Sequence, residues 1–437
     1  MCKFWLYVYN IFSIPLIWLI FKIYSLFNSK VREGFSGRKN IFTDLENNKS
    51  LLKNGNKNII IHCSSLGEYQ QAIPIYRELL TYKFNIILTF FSPSGYKNSK
   101  ISDDRVIKTY LPYDSNKNIG KFLDIINPEI IIMMRYDLWF NFLYRAKRMN
   151  ITTAIANARF DVHDKTWRIP LVSSFKKCLF NMIDILFAID DEDEMNFKKV
   201  LKSNSKIFKV GDSKFERVLQ SSKTIKKETV IPENIIRNKK VFVIGSSWKE
   251  DEDILLPVIN KIQKYEPDLM TILVPHEPKE TKLVLIEKNI QQNYENLKSI
   301  RYSLLKDYTF ENFIIVDCIG KLLNLYSISY VSYVGGGFKS GLHNILEPAI
   351  FNIPVFFAND VKNSDEDEVL LKYGGGKLVS SKHQFYKDFR IMLGNKFLRD
   401  TIGEKSRLVF SDKTGIAKKI VNNLLVFKNS KQGEKNV

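Results

Sequence analysis

Two stretches of this chain combine residue types able to hold an anion and to move a proton. The longer is Tyr333-Val-Gly-Gly-Gly-Phe-Lys-Ser-Gly-Leu-His-Asn-Ile-Leu-Glu-Pro348. Residues 330–334 are β-branched and aromatic and read as a strand, and the three glycines let backbone approach a ligand closely. His343 and Asn344 stand where a helix would begin, so free amides and the positive dipole end there would favour phosphate or carboxylate. Glu347 lies about one turn beyond His343, which puts imidazole, amide and carboxylate within reach of one ligand carrying a phosphate and a hydroxyl. A bare Gly-Gly-Gly would also serve as a tight strand-to-helix connection with no ligand. Gly336 and Gly337 are the candidate ligand-facing glycines.

The second stretch is Ser64-Ser-Leu-Gly-Glu68. A glutamate at a turn entering a helix can accept a proton from an attacking hydroxyl. The same spacing, Ser-x-x-Glu, is a capping box, and both roles fit the local sequence. His276, after Val274-Pro275, can contact a phosphate or sit in a plain surface loop. The acidic run Asp190-Asp-Glu-Asp-Glu194 follows an apolar strand and reads as the first turn of a helix stabilised by its dipole, rather than as a cation site.

The elements that must carry these groups repeat one grammar: continuous apolar strand, short turn, amphipathic helix. Strands are expected at 58–62, 86–91, 130–134 and 185–189, then again at 241–245, 271–274, 314–317, 330–334 and 354–357. Such runs predict parallel sheets covered on both faces, with functional groups at the strands' carboxyl ends. Glu68, Ser92, Ser94, Asp137 and Asn157 all fall there. The fold class is α/β, with two similarly built domains facing a cleft and joined between Asp212 and Arg237.

Residues 4–21 carry no charge and reach the minimum length of a bilayer crossing, and no cleavage-type small residues follow. We expect a retained amino-terminal membrane anchor that crosses the bilayer, the alternative being a helix that lies in the interface or packs on the domain. Lys22, Lys30, Arg32, Arg38 and Lys39 follow it and place the remainder on the cytoplasmic side, with Arg32, Arg38 and Lys39 expected to face anionic lipid. The formal charge of +19 suits nucleic acid, anionic lipid or phosphorylated substrates alike. Cys2, Cys63, Cys178 and Cys318 lack metal-ligand spacing, so reduced thiols are expected.

Taken in order, the motifs resemble those of the lipopolysaccharide Kdo transferases, over nearly the whole chain. The marks are the anchor, Val31-Arg-Glu-Gly34, Gly37-Arg38, Ile61-His-Cys-Ser-Ser-Leu-Gly-Glu68, Thr89-Phe-Phe-Ser-Pro-Ser-Gly95, Tyr110-Leu-Pro-Tyr-Asp114, Asp137-Leu-Trp-Phe-Asn141, Asn157-Ala-Arg159 and Gly211-Asp-Ser-Lys-Phe215. Asp317, Gly320-Lys-Leu-Leu-Asn-Leu-Tyr326, Val334-Gly-Gly-Gly337 and His343-Asn-Ile-Leu-Glu-Pro348 continue the series.

The resemblance implies a GT-B glycosyltransferase of two Rossmann-like domains. Residues 1–30 would be the anchor, 31–215 the acceptor domain, 216–400 the CMP-Kdo donor domain, and 401–437 a carboxy-terminal helix and frayed tail. It further implies an inverting transfer of Kdo (3-deoxy-D-manno-octulosonic acid) to the lipid A precursor, lipid IVA, at the bacterial inner membrane, using neither metal nor cofactor and no nucleic-acid partner. Glu68 would be the general base. Ser246, Ser247, His276, Gly336, Gly337, His343, Asn344 and Glu347 would bind the donor, and Ser92, Ser94, Asp137 and Arg159 the acceptor. Three positions depart from the family pattern. Asp137 stands for a glutamate with Arg135 upstream, Pro275-His-Glu-Pro278 stands for Pro-Arg-His-Pro, and Trp248 stands for a histidine after two hydroxyl residues. A GT-B transferase using a UDP-sugar and a membrane-tethered non-catalytic homologue share this architecture, and nucleotide preference and turnover separate the three readings.

Overall fold

The computed structural model describes residues 2–201, 205–225, 230–338, 341–358 and 366–433. Met1–Arg217 with Gly415–Val437 form one compact unit, and Val218–Thr414 form a second.

The first unit is built on seven parallel strands: β1 (Lys57–Cys63), β2 (Phe84–Phe90), β3 (Val106–Tyr110), β4 (Pro128–Met134), β5 (Thr152–Ala158), β6 (Ile185–Ala188) and β7 (Lys206–Lys209). Their spatial order is β3-β2-β1-β4-β5-β6-β7. Alternation sends successive side chains to opposite faces. Ile60, Ile131, Met133 and Ile155 join a core on one side, while Ile59, Ile61, Ile130, Ile132 and Ala154 join a core on the other. That is why these strands read as unbroken apolar runs. The second core also takes in Ile416, Ala417, Ile420, Val421 and Leu424, one stripe of the carboxy-terminal helix Ile416–Gly433. The chain therefore ends on the unit it began.

The second unit repeats the plan with β8 (Lys240–Ser247), β9 (Leu269–Pro275), β10 (Ser299–Arg301), β11 (Phe313–Ile315), β12 (Val331–Val334), β13 (Val355–Ala358) and β14 (Gly376–Val379). The order is β10-β11-β9-β8-β12-β13-β14. In each sheet the winding reverses beside the first strand, between β1 and β4 and between β8 and β12. Doubly wound sheets bind ligands in the crevice at that reversal, outside the carboxyl ends of the strands.

The apolar segment Cys2–Phe27 is helical and is long and apolar enough to cross a membrane. Its first turns lie on the first unit. Tyr9 is buried with its ring 5.2 Å from that of Phe140, Trp5 Nε1 donates to Ser174 Oγ at 3.2 Å, and Asn10 exchanges two amide hydrogen bonds with Asn141. Phe4, Tyr7, Ile11, Phe12, Leu16 and Leu19 remain exposed. The same docking sets the Cα atoms of Cys2 and Cys178 5.7 Å apart with their sulfurs bonded, so the expectation of reduced thiols holds only for Cys63 and Cys318. A pair separated by 176 residues leaves no local signature.

The basic residues after the apolar helix are less available than expected. Arg38 donates to the carbonyls of Leu111, Gly34 and Phe91 and lies over the rings of Phe91, Tyr110 and Tyr113. Arg32 donates to the carbonyls of Ser25 and Leu26, capping the end of the apolar helix. Lys39 is exposed.

Candidate functional site

In the first unit the β1 and β4 carboxyl ends bring Glu68, His62 and Asp137 to one corner. Glu68 opens the helix Leu66–Leu79 and completes a capping box. Its amide donates to Ser65 Oγ at 3.4 Å, and its Oε2 accepts from the amides of Ser64 and Ser65. The capping role is therefore real, and it also orients the carboxylate. Burial raises the Glu68 carboxyl above the usual glutamate range against the lowering effect of the Ser64 hydrogen bonds, with the Asp137 charge adding to the rise.

The sequence alone does not single out His62. It lies fully buried in β1, with Nδ1 2.8 Å from Thr89 Oγ1 and Nε2 2.7 Å from Asp137 Oδ2. Both ring nitrogens are engaged, one by the Thr89 hydroxyl and the other by the Asp137 carboxylate. The imidazole thus holds Asp137 at the crevice. The one signal in the sequence is a histidine inside the run Ile59-Ile-Ile-His62. The backbone after β4 turns left-handed at Arg135, φ +56°, and Arg135 Nε reaches Gln71 Oε1 at 3.2 Å.

Ser92 belongs to the same corner. Its amide donates to the Ser64 carbonyl at 2.9 Å and its hydroxyl accepts from the Gly95 amide. Gly95 is required there, because a Cβ would stand 2.8 Å from the Phe90 ring and 3.1 Å from the Ser65 carbonyl carbon. Ser94 is exposed on the helix Pro93–Asn98. Arg159 lines a cavity of about 260 Å³ that begins at Tyr136 and Leu138, on either side of Asp137, and includes Trp167 and Lys176. Asn157, Asp212 and Ser213 interlock with Gln71 of the Glu68 helix, which explains why two distant motifs accompany one another.

In the second unit the β8 and β12 carboxyl ends gather most of the other candidates. Trp248 stacks on His276 with ring centroids 4.6 Å apart, and His276 stacks on His343 at 4.4 Å. Trp248 Nε1 donates to His343 Nε2 at 3.1 Å. Burial, with the neighbouring His276, lowers the His343 pKa to about 4. The Ser247 carbonyl accepts from the His276 amide, while the buried Ser247 hydroxyl donates to Glu252 at 2.8 Å. Ser246 supplies a left-handed turn, φ +54°. Asn344 Nδ2 donates to Glu347 Oε1 at 3.1 Å, so those two act as one unit.

The glycine turn works differently from the sequence expectation. The Gly335 amide donates to the Gly245 carbonyl, and the Gly336 amide to the Asp251 carboxylate at 3.0 Å. Neither is free for an anion. The glycines instead permit contact: a Cβ on Gly335 would lie 2.5 Å from the Ser246 carbonyl oxygen, and one on Gly337 2.7 Å from that of Ala358. Gly336 has φ +94°, a conformation that side chains disfavour. The helix that follows is only Leu346–Ala349, ended by a left-handed Asn352, so the expected dipole shrinks to that of a single turn. Lys339 and Ser340 of this motif lie outside the described residues. Asp251, also unremarked in sequence, joins the pieces. Its carboxylate accepts from the amides of Trp248 and Gly336 and from the Tyr333 hydroxyl. Its position three residues into a helix is the available signal. Asp190, in the acidic run, caps the helix Asp191–Val200 by accepting from the Asp193 amide.

The family model described as 3-deoxy-D-manno-octulosonic-acid transferase (kdotransferase) matches residues 35–217. A bifunctional glycosyltransferase/methyltransferase of Fusobacterium nucleatum is 29% identical over 381 residues, 84% of this chain; the chain spans 58% of that relative's length. The 3-deoxy-D-manno-octulosonic acid transferase of Haemophilus influenzae is 25% identical over 380 residues, 83% of this chain and 86% of its own. Among solved structures, a UDP-GlcNAc 2-epimerase from Neisseria meningitidis covers 84% of this chain and 99% of its own with a TM-score of 0.57 at 15% identity, a likeness of fold. With the two doubly wound parallel sheets of a GT-B architecture, a family model matching its first half and relatives matching along most of its length, the chain is similar to the 3-deoxy-D-manno-octulosonic acid transferases.

Proposed function

We propose that this chain transfers Kdo from CMP-Kdo to a sugar hydroxyl of a lipid A precursor, with inversion at the donor's anomeric carbon. The observation that carries this reading is the Glu68 carboxylate at the β1 and β4 ends. One oxygen is fixed by two amides, and burial makes the group more basic than a free glutamate. As the acceptor oxygen forms its bond to the anomeric carbon, its proton passes to Glu68, while the bond to CMP breaks and phosphate leaves with the electron pair. Asp137, held by His62, and Arg159 at the neighbouring cavity bind the acceptor, with Ser92 and Ser94 at the adjoining loop. His343, Asn344, Glu347 and His276 contact CMP-Kdo. Ser246, Ser247, Gly336 and Gly337 shape that site.

The exposed apolar face of Cys2–Phe27 associates with a membrane, which for this acceptor is the cytoplasmic face of an inner membrane, and Lys39 adds attraction to anionic lipid. The test is incubation of the full chain with CMP-Kdo and lipid IVA. A product heavier by one or more Kdo residues is expected, and tighter binding of CMP than of UDP. Preference for UDP, or no transfer at all, would overturn the assignment.

A further inference from the structure

The indole N–H of Trp248 is a donor and nothing else, so the His343 nitrogen it meets at 3.1 Å must be an acceptor. That nitrogen is Nε2, and the neutral imidazole then carries its proton on Nδ1. We propose that Trp248 is a positioning residue that locks His343 as the neutral Nδ1–H tautomer, giving it one hydrogen-bond donor for the anionic phosphate of the nucleotide. This rests on the donor-site reading above.

The surroundings support the lock from each side. His276 covers the His343 ring face at 4.4 Å and is itself covered by Trp248 at 4.6 Å. A Cβ on Gly336 would come within 3.1 Å of His343 Cδ2, so the glycine backbone closes the edge beside Nε2. Charged groups beside the stack are Lys282, with Nζ 5.0 Å from the Trp248 ring centroid, Glu277, which follows His276 in the chain and lies 3.8 Å from Lys282 Nζ, and Asp251, which accepts from the amides of Trp248 and Gly336. A proton on His343 Nε2 would collide with the indole N–H, and charge on His276 would oppose it as well. Both agree with the lowered pKa of His343. Trp248 and His276 are two of the three departures from the family pattern. Here they form one device, in which an aromatic donor and a stacked imidazole take over the ordering of His343.

The tautomer is read without ligand from the ring-nitrogen shifts and couplings of His343 in the 15N-labelled full chain. The wild type should show a protonated Nδ1 and a bare Nε2. A protonated Nε2 in the wild type overturns the proposal whatever any variant does. Trp248→Phe keeps the stacked ring but removes the N–H. It should yield mixed tautomers and weaken CMP binding by about fivefold to tenfold, the scale of one hydrogen bond. His343→Asn places an amide N–H near the Nδ1 position and has no tautomer to set. Trp248→Phe should cost nothing further in that background, and additive losses would overturn the lock. An unchanged His343 signature in Trp248→Phe would do the same. If the wild type shows the expected tautomer but binds no CMP, the donor-site reading fails and takes the phosphate contact with it, while the lock itself stands.

Discussion

Glu68 is at once a capping residue and the proposed base, and the two roles separate in one substitution. Glu68→Gln keeps the shape and the bonds from the Ser64 and Ser65 amides but cannot take a proton. Turnover should fall by about a hundredfold or more, with CMP affinity unchanged and the melting temperature nearly so. Near-normal turnover would exclude Glu68 and direct attention to Asp137. His343 gives a pH prediction. Its folded pKa of about 4 lies below the ordinary histidine value of 6.5. The folded state therefore favours the neutral ring, and the associated stability is present above about pH 6.5 and is lost as pH falls through about 4. Melting curves across that window should show the loss, and His343→Asn should remove that part of the slope. His62 offers a third test. Its ring bridges Thr89 and Asp137 inside the sheet, so His62→Phe should cost about 1–3 kcal/mol by leaving the Thr89 hydroxyl unpartnered. It should also reduce turnover by releasing Asp137, with CMP binding intact.

Several ordered motifs are joints between elements rather than reacting groups. Asp114 ends one motif and Asn141 another. The buried Asp114 carboxylate accepts from the amides of Asn141 and Phe142 at 2.9 Å, capping the helix Phe140–Arg148. Asn141 in turn holds Asn10 of the apolar helix. Asp114→Ala should therefore cost about 1–3 kcal/mol and raise amide exchange in both helices, and exchange rising in only one would break the proposed linkage. The glycines of the amino-terminal motif act similarly, since a Cβ on Gly37 would sit 2.4 Å from the Tyr110 ring. The four strands absent from the sequence reading, besides β5, are β3, β7, β10 and β14. These are the four edges of the two sheets. Each carries a lysine or arginine and lacks a continuous apolar run, because an edge strand is less buried and charge there discourages pairing with other chains. β5 escaped for another reason: its sequence Thr-Thr-Ala-Ile-Ala-Asn-Ala is buried throughout but made of small and polar residues.

At the scale of the whole molecule, the apolar helix is part of the first unit as well as long and apolar enough to cross a membrane. Tyr9 belongs to a hydrophobic core, and Trp5, Leu6 and Ile14 pack against it. Removing residues 1–27 should abolish vesicle binding and also lower the melting temperature, since the vacated surface includes Phe140 and Phe175. An anchor that merely tethered the protein would leave the melting temperature unchanged. Vesicle binding by the full chain should weaken with salt through Lys39 and less through Arg38, whose guanidinium is committed to three carbonyls.

The amino-acid sequence determined that this chain is α/β with parallel sheets, because a strand buried on both faces must be apolar at every position and such runs recur between helices. It also carried the resemblance to the 3-deoxy-D-manno-octulosonic acid transferases, through short motifs kept in order. Glu68 could be named as a candidate from Ser-x-x-Glu alone, but that pattern serves capping and catalysis equally. Only the tertiary structure decided which strand ends are neighbours. Strand order is set by pairings between distant segments, and it puts His62 beside Asp137 and lets the Gly335 amide donate to the Gly245 carbonyl. It likewise decided that Cys2 meets Cys178 and that the last helix returns to the first unit. The direction of a hydrogen bond is the finest of these decisions. Trp248, His276 and His343 lie far apart in sequence, and their meeting fixes which nitrogen of one imidazole carries a proton.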